Sequence, residues 1–292
     1  MRFEKTDIVN ITLLLCAASL WASAFSAIKI AVGEVGPLTV AAARCLIAGL
    51  ALTPFLLQSH LLKELRSAPL IFLSFVGFIG VAVPFMLVSY GEQYVDSSLA
   101  GLLMAIGPLA TLIGAHYITR DELITRQRLG GILLGFAGVV LLLWQGSRLI
   151  GQTAVLGQLA ILAAALGYVS SNLMIRRISG KVAALIISWS GLAFSAVLLV
   201  PAAIVIEAPQ IMAVSVPTIS ALLWLGLMPT ALGFTLRYIL IARAGAGFTS
   251  YVGYLIPAIA LLFGVILLDE PLSWDRLAGL ALILVGLALA RR

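Results

Sequence analysis

Long apolar runs separated by brief polar connections fill the chain. Bounded by charge, glycine or proline, they fall at roughly 8–32, 37–57, 69–90, 97–118, 129–145, 153–175, 182–204, 216–238, 247–268 and 274–290. A bilayer's hydrocarbon core is about 30 Å thick and takes about 20 apolar residues per helix. The pattern therefore predicts ten membrane-spanning helices. Lipid offers the backbone no hydrogen bonds, which leaves helices and closed barrels as spanning forms. A barrel would show short alternating segments, and none occur. The longest connections, near 58–68, 119–128 and 205–215, are modest, and no linker to a separate domain is visible.

Composition hardens this into an exclusion. Of 292 residues, 62% are hydrophobic and only 10% charged, with a mean hydropathy of +1.15. Soluble domains carry about 45–50% apolar and about 25% charged residues, so this chain could not cover a water-facing surface. The expected class is an all-α polytopic membrane protein. A net charge of +6 would suggest nucleic acid in a soluble chain. Here the bases lie in short loops, where they set orientation, so no nucleic-acid partner is expected. With a cytoplasmic N-terminus, fourteen of the 18 Lys and Arg fall in cytoplasmic segments. Lys29, Arg148 and Arg276 fall outside, and Arg44 lies within the second span. Both termini are then cytoplasmic. The outer connections carry acid instead: Glu34, Glu92, Asp96, Glu207, Asp269, Glu270 and Asp275.

The N-terminus imitates a signal peptide through Arg2, Lys5, the run from Ile8 to Leu20, and Ala22-Ser23-Ala24. Glu4 and Asp7 neutralise its basic end, however, and the apolar run continues to Val32. It reads as the first span. Cys16 and Cys45 lie in apolar runs and read as small fillers, with no disulfide or metal framework.

The chain also resembles itself. RDELITRQRLGGILLGFAGVVLLLW at 120–144 matches LDEPLSWDRLAGLALILVGLALARR at 268–292. Asp121 pairs with Asp269, Glu122 with Glu270, Arg128 with Arg276, Gly131 with Gly279 and Gly138 with Gly286, all at an interval of 148. Trp21 answers Tyr168, Lys29 answers Arg176, and Gly107-Pro108 answers Ile256-Pro257. Repeats of five spans, an odd number, have opposite topology. Such inverted repeats let one scaffold open to either side. Residues 1–145 and 146–292 are expected to form the two five-helix repeats of one transmembrane domain.

These residues carry a family resemblance. The acid-Glu-Pro turn followed by a helix with spaced glycines resembles the closing segment of an EamA-type repeat of the drug/metabolite transporter superfamily. Pro37 and AAARCLIAGLALTP resemble that repeat's second, Arg-containing helix. The resemblance spans the whole chain. It implies a transporter, and the chain looks most similar to bacterial inner-membrane exporters of aromatic and other neutral amino acids.

In inverted-repeat transporters the substrate sits near the midplane between the halves. At about 1.5 Å per residue, that depth falls near Ser19–Trp21, Gly80–Pro84, Pro108, Leu166–Tyr168, Met228–Pro229 and Pro257. Interior prolines kink helices. Pro84, Pro108, Pro229 and Pro257 occupy corresponding spans of the two halves and are candidate gating kinks. The candidate substrate-binding residues are Trp21, Ser23, Met86, Tyr90, Tyr168, Asn172, Trp224, Met228 and Tyr254. Small hydroxyls such as Ser23 also serve helix packing, and Tyr90 also suits an interfacial anchor. Arg44 has three readings: snorkelling, a substrate carboxylate, or a structural charge holding its neighbours. The structural role is favoured.

The ionisable inventory bears on cargo. No Asp or Glu lies near a midplane, and no cationic clamp for phosphate is visible there. A small neutral substrate with an apolar or aromatic side chain fits best, with lipid as surroundings. Catalysis needs a positioned nucleophile and base, yet His60 and His116 both lie near loops; no enzyme activity, cofactor or metal is expected. The expected function is export from the cytoplasm across the bacterial inner membrane by alternating access. The alternatives are a multidrug or other metabolite exporter, a channel-like facilitator and a lipid scramblase. Gly131-x-x-x-Gly135 is a close-approach motif, read as packing within a monomer, with a dimer contact as the alternative.

Overall fold

The computed structural model describes residues 5–118, 125–150, 152–176, 178, 180–208 and 214–290, and every regular element among them is helical. The N-terminal part runs α1 (Lys5–Ala31), α2 (Pro37–Leu56), α3 (Ser59–Ser67), α4 (Leu70–Gly77), α5 (Val83–Glu92), α6 (Ser97–Leu103), α7 (Ile106–Ile118) and α8 (Arg126–Ile150). There follow α9 (Gln152–Ile175), α10 (Ala184–Ile206), α11 (Val216–Leu225), α12 (Gly233–Thr249), α13 (Val252–Leu268) and α14 (Trp274–Ala290). Eight helical stretches among the described residues are long and apolar enough to cross a membrane. The chain is an all-helical, multi-pass membrane protein.

The apolar run at 97–118 is divided between α6 and α7, and two other runs widen in mid-span. Phe78–Ala82 widens into a π turn between α4 and α5, and Gly226–Leu232 does the same between α11 and α12. Proline accounts for both sites. Pro84 follows the first π turn and Pro229 lies within the second, where the missing N–H breaks the i→i−4 ladder. Their first residues, Phe78 and Gly226, are 148 positions apart, the interval that relates the Asp-Glu turns. A further departure lies at 58–68, which reads in sequence as a plain connection. It contains α3, whose Leu61 is buried and whose Leu65 packs in the same cluster with Ile186 of α10.

Two pairs of corresponding helices meet each other, and two further pairs join non-corresponding helices. α8 packs along α14 and α2 along α10, while α1 packs on α13 and α5 on α9. At the α8–α14 contact the backbones touch. A Cβ on Gly131 would lie 2.5 Å from the Gly286 carbonyl, and one on Gly286 would lie 2.5 Å from the Gly135 amide. Gly138 similarly meets the Gly279 carbonyl, at 2.8 Å. The glycine motif of α8 is thus filled by α14. Lipid gives helices no hydrophobic reason to associate, so close backbone approach supplies dispersion contacts instead.

Carboxylates finish several helix ends. Glu207 accepts from the Leu38 and Thr39 amides at the start of α2, both at 2.8 Å. Glu270 accepts from Ser97 and Ser98 at the start of α6, at 2.7 and 2.9 Å. Glu64 accepts from Ala183, just before α10. Each satisfies amides that have no partner within their own helix and meets the positive end of its dipole. The Asp-Glu-Pro turn becomes intelligible in these terms. Asp269 takes a left-handed conformation, φ +52°, ending α13 and turning Glu270 towards α6. Arg276 then donates to Ser98 Oγ, the Pro271 carbonyl and Asp96. The corresponding Asp121 and Glu122 lie outside the described residues.

Glu34 holds the start of α11 through Ser215, whose amide donates at 2.9 Å. The Ser215 hydroxyl and amide hold the Glu34 carboxyl below the usual carboxylate range. A carboxyl depressed on folding adds stability above its unfolded pKa, and that stability is lost as pH falls through the folded value. Glu34→Gln is therefore expected to lower stability at neutral pH and to match wild type in acid, as read from melting curves across pH. Overpacking in a filled contact costs about 1–3 kcal/mol. Gly286→Leu should accordingly lower the unfolding midpoint in detergent. Gly130→Leu, where a Cβ meets nothing within 4 Å, should leave it unchanged.

Candidate functional site

The second π turn exposes main-chain groups that other helices must satisfy. Leu225's carbonyl would normally bond the N–H that Pro229 lacks; it accepts instead from the Thr230 hydroxyl, at 2.7 Å. Arg44 on α2 donates through Nε to that same hydroxyl, at 2.7 Å. The Pro229 carbonyl takes the indole N–H of Trp21 on α1, at 2.8 Å. Gly233 makes room, because a Cβ there would lie 2.7 Å from Trp21 Nε1. The mated crossing is equally close. A Cβ on Gly167 of α9 would stand 2.8 Å from the carbonyl of Ile79 in the first π turn.

Aromatic side chains gather beside both π turns. Trp21 meets Phe234 edge-on, with ring centroids 6.5 Å apart, and Phe85 meets Tyr168 edge-on at the same separation. These pairs correspond across the two halves: Trp21 answers Tyr168, and Phe85 answers Phe234 at an interval of 149. The Arg44 guanidinium stands 3.8 Å from the Phe85 ring centroid. Such a desolvated cation–π contact is worth about 2 kcal/mol. Phe85, Phe234, Tyr168 and Met86 pack in one cluster. With Trp21 against Phe234 and Arg44 against Phe85, the group draws on α1, α2 and α5 from one half, and on α9 and α12 from the other.

The remaining candidates lie apart from this group or join it at one edge. Trp224 donates to Ser23 Oγ, at 2.9 Å, and remains 43% exposed. Met228 is half-buried within the second π turn. Tyr254 turns away, its hydroxyl 3.3 Å from the Leu287 carbonyl of α14. Tyr90 stacks edge-on against Tyr94 at the end of α5, at 5.2 Å. Asn172 sits half-buried on α9, one turn beyond Tyr168. Of the prolines, Pro84, Pro229 and Pro257 are buried and Pro108 is half-buried. Pro84 and Pro229 belong to the π turns, while Pro108 stands against α13 near Gly253. Arg44 is 7% exposed and reaches inward, so it does not snorkel.

Sequence reasoning passed over Phe85, Phe234 and Thr230. A phenylalanine inside an apolar run carries no signal of its own. The signals that could have found them were the repeat itself, which pairs Phe85 with Phe234 at an interval of 149, and the hydroxyl beside Pro229.

The EamA-like transporter family profile matches this chain twice, over residues 9–144 and 155–292. The chain belongs to that family. Among relatives of this EamA-like transporter is a probable terminal-alkyne amino-acid exporter of Streptantibioticus cattleyicolor, 27% identical over 93% of this chain and 90% of that one. A probable amino-acid metabolite efflux pump of Salmonella typhimurium is 27% identical over 94% and 92%. A protein crystal structure superposes with a TM-score of 0.70, covering 97% of this chain and 96% of that one, at 21% identity. That likeness shows the fold.

The bond from Trp21 to Pro229 is the most direct tie between α1 and the second π turn. Trp21→Phe keeps the ring and removes the donor, which should cost about 1 kcal/mol. Gly233→Ala should break the same bond by displacing the indole. The two losses should then be less than additive in a double-mutant cycle, measured by unfolding in detergent.

Proposed function

We propose that this EamA-like transporter exports small neutral metabolites, amino acids with aromatic or other apolar side chains foremost, from the cytoplasm across the bacterial inner membrane. The proposal takes 1–145 and 146–292 as inverted repeats of five spans each, ten in all, with both termini cytoplasmic. The shorter helices α13 and α14 complete the second repeat. Substrate is held between the halves near the midplane and is released by alternating access, the prolines bending the helices that open and close.

One observation carries the reading: matching aromatic pairs, Trp21–Phe234 and Phe85–Tyr168, flank π turns at the same register in both halves. Aromatic faces with a few hydrogen-bonding groups suit a neutral amphipathic ligand. The exporter names of the two relatives favour amino acids as the class. In this assignment Trp21, Met86 and Tyr168 line the site with Phe85 and Phe234. Ser23, Trp224, Met228 and Asn172 extend it, and Tyr90 and Tyr254 stand at its margins. Arg44 acts as a structural charge, holding α2 to Thr230 and Phe85.

The acid-rich end, where Glu34, Glu207 and Glu270 cap helices, is the extracytoplasmic one in this orientation. In this reading these hydrogen bonds hold the outer side closed. Opening outward means exchanging these caps for water.

Proteoliposomes preloaded with unlabelled amino acids test the reading. Saturable counterflow is expected for aromatic and aliphatic amino acids and absent for charged ones. Failure of every amino acid to support counterflow sinks the amino-acid reading, and flux without saturation would mark a channel. Phe234→Ala and Tyr168→Ala should shift preference between aromatic and aliphatic substrates several-fold. Unchanged preference in both removes the site.

A further inference from the structure

Glu92 departs from the outer-loop acid that its sequence position suggests. It is the last residue of α5 and is 0% exposed. Neither carboxyl oxygen has a hydrogen-bond partner among the described residues. Its neighbours at the same end show what a satisfied carboxylate looks like here: Glu207 and Glu270 each take two helix-start amides. The closest cationic candidate, Lys29 on α1, spends its ammonium on main-chain carbonyls instead. It donates at 2.7 Å to the carbonyl of Glu92 itself and at 2.7 Å to that of Val95.

The setting is a tight helix crossing. A Cβ on Gly91 would lie 2.7 Å from the Gly157 carbonyl, and one on Gly157 would lie 2.9 Å from the Gly91 carbonyl. The residue after each glycine is a buried polar group, Glu92 on α5 and Gln158 on α9. Gln158 is 1% exposed, and both of its amide atoms also lack partners. The charges acting on Glu92 are those of Lys29 on α1, Arg44 on α2 and Glu270 before α14. Of the other elements packed on α5, α9 brings Tyr168 as its titratable group and α6 brings none. Asp96, Glu270 and Arg276 form an ion cluster beyond the α5–α6 connection, and Tyr90 and Tyr94 complete the titratable groups of this segment.

We propose that Glu92 is a proton-binding site that couples closure of the acid-rich end to uptake of one proton. A buried, unpaired carboxylate is unfavourable enough that the group takes a proton instead. When α1, α5 and α9 part, water reaches Glu92, and the carboxylate is left ionised beside Lys29. When they close, a proton from the aqueous phase at that end adds to one carboxylate oxygen, giving the neutral acid that the dry crossing accepts. The closed state thus holds one more proton than the open state, and linkage makes the balance between them pH-dependent. This rests on the alternating-access reading above; the proton taken up from outside on closing returns to the outside on opening, so pH at that face sets the balance between the two states.

The test uses the full chain in proteoliposomes, wild type and Glu92→Gln, with a neutral amino acid that supports counterflow in wild type. Counterflow is measured at symmetric pH 6, 7 and 8. Wild type should change several-fold with pH. E92Q, a permanent stand-in for the protonated acid, should keep counterflow and vary less than about twofold over the same range. Infrared spectra give a readout independent of transport: a protonated-carboxyl band at neutral pH in wild type, lost in E92Q. Absence of that band in wild type overturns the proposal, as does an E92Q variant that retains the band or wild-type pH dependence. Loss of counterflow in wild type itself would refute the carrier reading, a separate outcome.

Discussion

Lipid cannot hydrogen-bond to a peptide group, and that constraint shapes the main departures from regular helix among the described residues. The two π turns free main-chain carbonyls at mid-helix, and the helix starts leave amides without partners. Several of the described breaks meet a group sent from another part of the chain. Trp21 reaches the Pro229 carbonyl, Arg44 braces the Thr230 hydroxyl, and Glu207 and Glu270 cover the starts of α2 and α6. The polar side chains of this scarcely polar protein are therefore spent where the backbone is irregular. The irregular places are also where the two halves meet.

That economy explains what could be read from sequence. Eight of the expected spans were legible because burial in lipid demands long apolar runs, and the interval of 148 was legible because duplicated turns keep their chemistry. The π turns were only half legible. Pro84 and Pro229 announce a kink, but a widened turn differs from a bend by its hydrogen bonds, which depend on Trp21 and Thr230 arriving from elsewhere. Glu92 was misplaced because a glutamate at a span's end normally reaches water. The Gly91–Gly157 crossing that buries it joins positions 66 residues apart. For the candidate site, Trp21, Met86 and Tyr168 stood out as polar-edged or soft groups in deep runs. Phe85 and Phe234 did not, since only their partners distinguish them from lipid-facing phenylalanines.

The pairing of α8 with α14 shows a second use of the repeat. Gly131 meets Gly286 while Gly138 meets Gly279, so each glycine touches the counterpart of the other. Such exchanged contacts make a contact surface that is nearly self-complementary within one chain. It fixes the two halves along a common line with no polar group involved, leaving the polar contacts to the helices around Trp21 and Phe85.

The helix caps also bear on how the protein is made. Glu207, late in the chain, finishes the start of α2, while Glu64, early in the chain, finishes the approach to α10. A ribosome delivers α2 well before Glu207 exists. The first half therefore enters the membrane with an open helix end that only the second half can close, and Glu64 waits for a partner some 119 residues downstream. Final assembly belongs to the moment after synthesis of the second half, and the two halves act as each other's folding template.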